Sequence, residues 1–255
     1  MPVKFVACDM DGTLVGKDGR FYEGVPEAIA ALLERGVRVA LASGRSYYGM
    51  RLLTKPLPFA DELYYICDDG ALVLHGGKTL YHKPISYETR MRFAAFDAYE
   101  GCPKLFFADT FSYALDGNAE FKEQIETRAI DEVQPVERLF DMKKDIFKLG
   151  VFCPGGKVTP MQPIPTELRM CYRSENWIEY NGRYANKGAA LSDVLSRLFI
   201  DRYDTAALGD GENDVEMFAK AKYTFAKKDG HAALVNAAMD TFDDPAAVLS
   251  ALLDR

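Results

Sequence analysis

The chain has 255 residues, of which 48% are hydrophobic and 27% charged, and its formal net charge is −7. This composition is typical of a globular protein with a substantial core, and the scattered basic residues argue against a nucleic-acid-binding surface. No apolar run approaches the roughly 20 residues of a membrane span, and no signal peptide is recognisable, so we expect a cytoplasmic protein without a membrane partner.

Strands and helices are predicted to alternate in the first part of the chain. Apolar runs predict strands over 3–8, 37–42 and 63–67, while helical periodicity predicts helices over 26–35 and 47–55. A hairpin is predicted over 72–81. This alternation is typical of a parallel α/β sheet, whose strands all end at one edge. Open sheets of this kind bind ligands at that edge.

The middle of the chain, residues 84–184, has a different pattern. It is rich in aromatic residues and contains strand-like pieces over 148–153, 167–172 and 177–180. The α/β alternation then returns, with predicted strands over 205–209 and 223–226 and predicted helices over 187–199, 215–220, 231–238 and 245–253. We therefore predict an α/β core formed by 1–83 and 185–255, with an inserted α+β cap domain over 84–184.

Two polar segments directly follow predicted strands of the first half. Segment 9–13 reads Asp-Met-Asp-Gly-Thr. Two carboxylates this close are costly to ionise together unless they share a cation or a proton, so the segment indicates a site that supplies one. A solvated acidic turn is the simpler alternative. Segment 43–45 reads Ser-Gly-Arg, and a hydroxyl with backbone N–H groups at a helix start can seat a phosphate or simply cap the helix.

Two further segments follow the predicted insert. Lys187 begins a helix, a position where a lysine is usually a surface charge. Segment 209–214 reads Gly-Asp-Gly-Glu-Asn-Asp and follows a strand, so its oxygen ligands suit a hard cation. Its simpler interpretation is a turn with an aspartate that caps the next helix.

Taken together and in this order, the four segments resemble the signature of haloacid dehalogenase-like phosphatases. The Ala-Ser-Gly-Arg sequence over 42–45, the Lys-Gly-Ala-Ala-Leu sequence over 187–191 and an insert of about 100 residues between them are similar to the Cof-type sugar-phosphatase-like subfamily. The resemblance implies a Rossmann-like core with an α+β cap. It also implies a Mg²⁺-dependent phosphatase that acts on phosphate monoesters of small metabolites, such as sugar phosphates, through an aspartyl-phosphate.

The resemblance also implies a role for each motif residue. Asp9 would be the nucleophile and Asp11 the general acid and base, while Lys187 would act with them on the transferring phosphoryl group. The remaining phosphate-binding residues would be Thr13, Ser43, Gly44, Arg45 and Asn213. Mg²⁺ would be held by Asp9, the backbone carbonyl of Asp11 and Asp210, with Asp214 at the metal or orienting Lys187.

Two departures from the subfamily pattern bear on the choice of substrate. Asp69-Gly70-Ala71 stands where Asn-Gly-Ala is usual, and Asp68 precedes it, so an extra carboxylate near the site would alter ligand choice. Lys227 and Lys228 replace part of an Ala-Met-x-Asn-Ala segment. These lysines would either meet a second anionic group or lie on the surface.

The insert is expected to select the substrate, as lids over active sites commonly do. Residues of suitable chemistry are Tyr113, Arg173, Glu175 and Trp177, although core or surface positions are the simpler interpretation for each. The aromatic cluster between Phe93 and Phe111 is predicted to be the core of the cap.

Other functions remain open at this point. A nucleotide and a cofactor such as flavin mononucleotide or pyridoxal phosphate are alternative substrates, and a catalytically idle binding module is an alternative function. A phosphosugar mutase would need a helical cap between Thr13 and Ser43, where about 30 residues leave no room for it. We expect a monomer or homodimer. The five cysteines include no Cys-x-x-Cys pair, which predicts free thiols in a reducing compartment.

Overall fold

The computed structural model describes residues 2–117, 121–122, 125, 132–153 and 156–254. The chain forms two compact units. The first contains Met1–Gly44, Leu53–Tyr81 and Asn186–Arg255, and the second contains Arg45–Leu52 and His82–Ala185. The short segment Arg45–Leu52 therefore groups with the second unit, whereas the predicted boundaries assign it to the core.

The sheet of the first unit has eight strands. In chain order these are β1 (Phe5–Asp9), β2 (Arg38–Ala42), β3 (Tyr64–Cys67), β4 (Leu72–His75), β5 (Lys78–His82), β12 (Thr205–Gly209), β13 (Tyr223–Lys227) and β14 (Asp240–Phe242). Their spatial order is β14-β13-β12-β1-β2-β3-β4-β5. The strands from β14 to β3 are parallel, and β4 runs antiparallel to β3. The predicted α/β core is confirmed, and β1 lies near the middle of the sheet.

The helices of this unit follow from local sequence signals. Helix α1 (Val25–Glu34) has Pro26 in its first turn and ends before Gly36, which has φ +78°, as expected for a proline start and a glycine stop. The other helices are α2 (Tyr47–Thr54), whose range spans the boundary of the units, α4 (Lys187–Leu198), α5 (Val215–Phe218), α6 (Ala232–Ala237) and α7 (Pro245–Ala251). One side of α4 (Ala190, Leu191, Val194, Leu195) is buried in the core of the sheet.

The second unit contains a six-stranded sheet and the helix α3 (Tyr87–Ala94). Its strands are β6 (Lys104–Phe107), β7 (Ser112–Leu115), β8 (Val133–Val136), β9 (Lys148–Phe152), β10 (Leu168–Arg173) and β11 (Trp177–Gly182). They lie in the order β10-β11-β9-β6-β7-β8, and all neighbours are antiparallel except β7 and β8. The predicted aromatic core is present, since Phe93, Tyr99 and Phe106 are fully buried together.

The prediction of five free thiols is wrong for two cysteines. Cys102 and Cys153 form a disulfide. They flank β6 and β9, and the N–H of Phe152 donates to the carbonyl of Pro103 at 3.0 Å, so neighbouring strands bring the two sulfurs together. They are 51 positions apart in the sequence, which is why no local spacing revealed the pair.

Among the described residues, no helix combines the length and the apolar character that a membrane crossing requires.

Candidate active site

The first motif leaves β1 at the carboxyl edge of the sheet. Asp9 ends the strand, is only 5% exposed, and is followed by a tight loop in which the N–H of Gly12 donates to the carbonyl of Val15 at 2.9 Å. Gly12 has φ +91°, and a Cβ there would lie 2.2 Å from an oxygen of Asp210. Only glycine allows this backbone conformation and this close approach together.

Lys187 is the centre of the buried charge cluster. It is the first residue of α4, whose preceding residue Asn186 accepts a hydrogen bond from the N–H of Ala189 at 2.6 Å. The ammonium of Lys187 is completely buried and donates to Asp9 Oδ1 at 2.5 Å and to Asp214 Oδ1 at 2.7 Å. Two residues that are 178 positions apart in the sequence thus form one ion pair.

The fourth motif brings two more carboxylates to Asp9. Carboxylate oxygens of Asp9, Asp210 and Asp214 all lie within 4.8 Å of one another. Asp214 Oδ2 accepts the N–H groups of Asp210 and Gly211 at 3.1 and 3.0 Å. Both oxygens of Asp214 therefore have partners, which favours an orienting role over direct binding of a metal.

The electrostatics of the cluster follow from burial and crowding. Burial raises the pKa of Asp9 well above its usual range; the Lys187 ammonium opposes this change, while Asp214 and Asp210 add to it. Burial alone would lower the pKa of Lys187, but Asp9, Asp214 and Asp69 raise it above its ordinary value. The pKa of Asp210 is raised by burial and by Asp214. Neighbouring carboxylates raise one another's pKa values when nearby positive charge does not balance their negative charge.

The cluster fits a divalent cation. Three carboxylates and one ammonium leave two negative charges, which is the charge that a divalent ion neutralises. Asp9 Oδ2 is buried, and no described residue donates a hydrogen bond to it. Buried carboxylate oxygens are hard ligands that Mg²⁺ prefers, so the donor set suits this ion.

The second motif lies beside the first. The hydroxyl of Ser43, which follows β2, donates to Asp11 Oδ2 at 3.2 Å. The Asp11 side chain is exposed, whereas Ser43 is buried. Gly44 also belongs to the first unit, but Arg45 belongs to the second. The structure therefore brings Ser43 to Asp11 and leaves the expected role of Arg45 as a prediction.

Thr13 and Asn213 have partners that the sequence did not predict. The hydroxyl of Thr13 donates to Asp210 Oδ1 at 3.2 Å, and the amide of Asn213 donates to Asp69 Oδ1 at 2.9 Å. Thr13 is therefore in a position to orient Asp210, although it was expected to bind phosphate. Asp69 follows β3 and joins the fourth motif to the edge of the sheet.

Lys227 has partners that the sequence did not predict. Its ammonium donates to the carbonyl of Gly12 at 2.8 Å and to the hydroxyl of Tyr22 at 3.2 Å. Lys228 instead pairs with Asp243 at the surface. Lys227 thus braces the loop after Asp9 from β13. Gly12 and Lys227 are 215 residues apart, so only its departure from the subfamily pattern drew attention to Lys227.

The residues proposed as cap candidates divide into two groups. Tyr113 and Trp177 are buried; the Tyr113 hydroxyl accepts the N–H of Lys143 at 3.1 Å, and the Trp177 indole donates to Glu179 at 2.8 Å. Arg173 and Glu175 are exposed. The first two residues therefore help to build the second unit itself.

Comparisons with known proteins find a matching family and similar sequences. The profile of the haloacid dehalogenase-like hydrolase family matches residues 6–248. A phosphoglycolate phosphatase of Metallosphaera sedula is 26% identical over 230 residues, which cover 88% of this chain and 85% of that protein. A 5-amino-6-(5-phospho-D-ribitylamino)uracil phosphatase of Escherichia coli is 22% identical and covers 93% and 90%, respectively.

Solved structures support the fold. A Thermotoga maritima protein superposes with a TM-score of 0.84 at 20% identity, covering 100% of this chain and 98% of that one. A sugar phosphatase of haloacid dehalogenase subclass IIB superposes with a TM-score of 0.75 at 20% identity, covering 98% and 96%. The fold predicted from the four motifs is thus confirmed, and the chain belongs to the haloacid dehalogenase-like hydrolase family.

Proposed function

We propose that this protein is a Mg²⁺-dependent phosphatase that hydrolyses phosphate monoesters of small metabolites through an aspartyl-phosphate. The observation that carries the proposal is the burial of Lys187 between Asp9 and Asp214, with Asp210 beside them. This arrangement supplies a nucleophile, a fixed positive charge and the ligands for a divalent cation. The names of the similar proteins, which include phosphatases for phosphoglycolate and for a phosphorylated ribitylaminouracil, support small phosphorylated substrates.

In the first half-reaction, a carboxylate oxygen of Asp9 attacks phosphorus, and the bond from phosphorus to the alcohol oxygen breaks. Asp11 gives its proton to the departing alcohol. The exposure of Asp11 and its contact with Ser43 suit a group that exchanges protons with substrate and water. Lys187 holds Asp9 in position and offers positive charge where the transferring phosphoryl oxygens gather charge.

In the second half-reaction, water attacks the phosphorus of the aspartyl-phosphate. Asp11, now ionised, takes a proton from this water, and the bond from phosphorus to Asp9 breaks to release inorganic phosphate. Asp9, the Asp11 carbonyl and Asp210 would hold the Mg²⁺, with Thr13 and Asp214 as orienting residues. When bound, the ion supplies charge that lets an anionic nucleophile approach an anionic phosphate.

The remaining expected roles complete the proposal. Ser43, Gly44 and Asn213 lie at the same sheet edge and would bind phosphate oxygens, together with Arg45. The unit containing residues 82–185 would select the alcohol. A catalytically idle module is the less favoured function, because the charged residues that the chemistry requires, Asp9, Asp11, Lys187 and Asp210, are all present.

The test is hydrolysis of p-nitrophenyl phosphate with Mg²⁺, followed by a screen of phosphorylated metabolites. We expect turnover that EDTA abolishes and Mg²⁺ restores. Asp9→Asn should lower kcat by roughly 10⁴-fold or more, as expected for loss of a nucleophile, while circular dichroism shows an intact fold. Wild-type activity in this variant, with deamidation excluded by mass spectrometry, would overturn the mechanism. Turnover of no ester would favour the idle module.

A further inference from the structure

The segment 227–231, at the end of β13, contacts both the loop after Asp9 and the backbone of Asp210. The ammonium of Lys227 donates to the carbonyl of Gly12 at 2.8 Å, and the N–H of His231 donates to the carbonyl of Asp210 at 2.7 Å. A Cβ on Gly230 would lie 2.8 Å from that same carbonyl oxygen of Asp210. The segment therefore connects the first motif to the fourth.

The contact with Lys227 fixes a part of the backbone that would otherwise rotate easily. Gly12 has φ +91°, and glycine has more accessible backbone conformations than any other residue. The N–H of Gly12 donates to the carbonyl of Val15 at 2.9 Å, which fixes the planar peptide that also contains the Asp11 carbonyl. The carbonyl of Gly12 belongs to the next peptide, which Lys227 fixes together with a longer hydrogen bond of 3.3 Å within the loop.

The orientation of Gly12 affects two of the proposed metal ligands. One is the Asp11 carbonyl, which lies in the peptide just before Gly12. The other is Asp210, whose Oδ2 would lie 2.2 Å from a Cβ on Gly12 and whose Oδ1 accepts the hydroxyl of Thr13 at 3.2 Å. A rotation at Gly12 would therefore change the direction of the Asp11 carbonyl and the contacts of Asp210 at the same time.

Lys227 has the environment of a structural contact, whereas its neighbour Lys228 lies at the surface. The Lys227 side chain is 20% exposed, and the hydroxyl of Tyr22 also accepts its ammonium at 3.2 Å. Asp229 is 3.9 Å from this ammonium and 81% exposed, which is too distant for a hydrogen bond. Lys228 is 56% exposed and pairs with Asp243. The two adjacent lysines thus provide a test residue and a matched control.

On the basis of the proposed phosphatase function, we propose that Lys227 is a positioning residue that sets the affinity of the site for Mg²⁺. Lys227 acts through the Gly12 peptide, while Gly230 and His231 hold Asp210 in the matching position. Residues that orient metal ligands from outside the coordination sphere contribute about 10–100-fold to metal affinity. The positive charge of Lys227 has the opposite effect, because it repels a second cation. The direction of the change when Lys227 is replaced therefore separates positioning from charge.

The test compares the Mg²⁺ dissociation constants of the wild type, Lys227→Met and Lys228→Met. The constant is measured without substrate by isothermal titration calorimetry, and independently from the gain in free energy of unfolding that Mg²⁺ produces. We expect Lys227→Met to weaken Mg²⁺ binding by about tenfold and Lys228→Met to leave it unchanged. In hydrolysis of p-nitrophenyl phosphate, Lys227→Met should need more Mg²⁺ for half-maximal activity but reach a kcat near the wild-type value at saturating Mg²⁺.

Gly230→Ala tests the contact with Asp210 independently of any change in charge. Its Cβ would lie 2.8 and 2.9 Å from the carbonyl oxygens of Asp210 and Lys227, so the backbone must shift. We expect this variant also to weaken Mg²⁺ binding. Gly182→Ala is the control, because a Cβ at Gly182 would meet open space, and its Mg²⁺ affinity should equal that of the wild type.

Mg²⁺ binding that is unchanged or tighter in Lys227→Met would overturn the positioning role, as would equal weakening in both lysine variants. Equal affinities in Gly230→Ala and Gly182→Ala would overturn the part assigned to the Asp210 contact. These results would leave the phosphatase function standing. A wild-type protein that binds Mg²⁺ but hydrolyses no phosphate ester would overturn the phosphatase function, while the calorimetric comparison would still decide the role of Lys227. A wild-type protein that binds no Mg²⁺ would overturn both.

Discussion

Replacement of Lys187 by methionine should destabilise the protein strongly in the absence of metal. Methionine keeps the unbranched side chain but removes an ammonium that lies 2.5 Å from Asp9 and 2.7 Å from Asp214. Two carboxylates are then left without their partner at a site where Lys187 is completely buried. Removing one partner of a buried pair costs about 3–5 kcal/mol. The free energy of unfolding of Lys187→Met should fall by this amount at neutral pH.

The assay is urea denaturation in EDTA, followed by far-ultraviolet circular dichroism. Lys228→Met is a matched control, since Lys228 pairs with Asp243 and the two side chains are 56% and 69% exposed, and exposed pairs contribute at most about 1 kcal/mol. Adding Asp214→Asn to Lys187→Met should recover part of the loss, because one of the stranded charges is removed. Acidification should also shrink the loss, since the pKa of Asp9 is raised and its stranded carboxylate becomes neutral as the pH falls.

The reasoning would be refuted if Lys187→Met and Lys228→Met lowered the free energy of unfolding by similar amounts. It would also fail if the loss in Lys187→Met were independent of both pH and Asp214→Asn. Either result would mean that the buried ammonium does not compensate these carboxylates.

Three other predictions follow from single contacts. Gly12→Ala should abolish Mg²⁺-dependent turnover, because its Cβ would lie 2.2 Å from an oxygen of Asp210. Gly19→Ala is the control and should retain turnover, because Gly19 also has a positive φ (+76°) but open space around it. Equal losses of turnover in the two variants would contradict the steric argument. Glu167→Gln should cost about 1 kcal/mol of stability at pH 7, since partial burial raises the pKa of Glu167 but hydrogen bonds from Ser86 and Thr89 lower it below its usual value. The difference in stability from the wild type, measured by urea denaturation, should vanish as the pH falls below roughly 4. A difference that stays constant with pH would refute the role of these hydrogen bonds. Cys153→Ser should lower the stability of the second unit by about 4 kcal/mol, the chain-entropy value for a 51-residue loop. The fluorescence of the only tryptophan, which lies in this unit, measures the effect. A loss below about 1 kcal/mol would argue against the disulfide.

The core could be predicted from the sequence because its signals are local. Three of the four chemical motifs lie at the end of a short apolar strand, and parallel strands end at one edge of a sheet, so Asp9, Ser43 and Asp210 were expected together. The pairing of Lys187 with Asp9 could be predicted only from the order of the motifs and their resemblance to a family, because no local sequence pattern links residues so far apart.

The second unit was less predictable. All four residues of β6 are buried, so this strand does not alternate between buried and exposed positions. Without that alternation, the sequence has no two-residue period by which a strand can be recognised. The strand order, the disulfide and the brace from Lys227 depend on residues that meet only in the folded chain. In the first unit, the short strand β14, which contains only three residues, was also missed.

The position of β1 between β2 and β12 has a consequence for biosynthesis. Phe5 pairs with Arg38 on one side and with Thr205 on the other, so the second neighbour leaves the ribosome 200 residues after the first strand. At about 5–20 residues per second, roughly 10–40 s pass before β12 is made. During this interval an apolar strand edge would stay open to wrong partners. Asp9 meets its lysine only after 178 further residues have been made, so the nascent chain acquires chemical competence long after its first strand is complete.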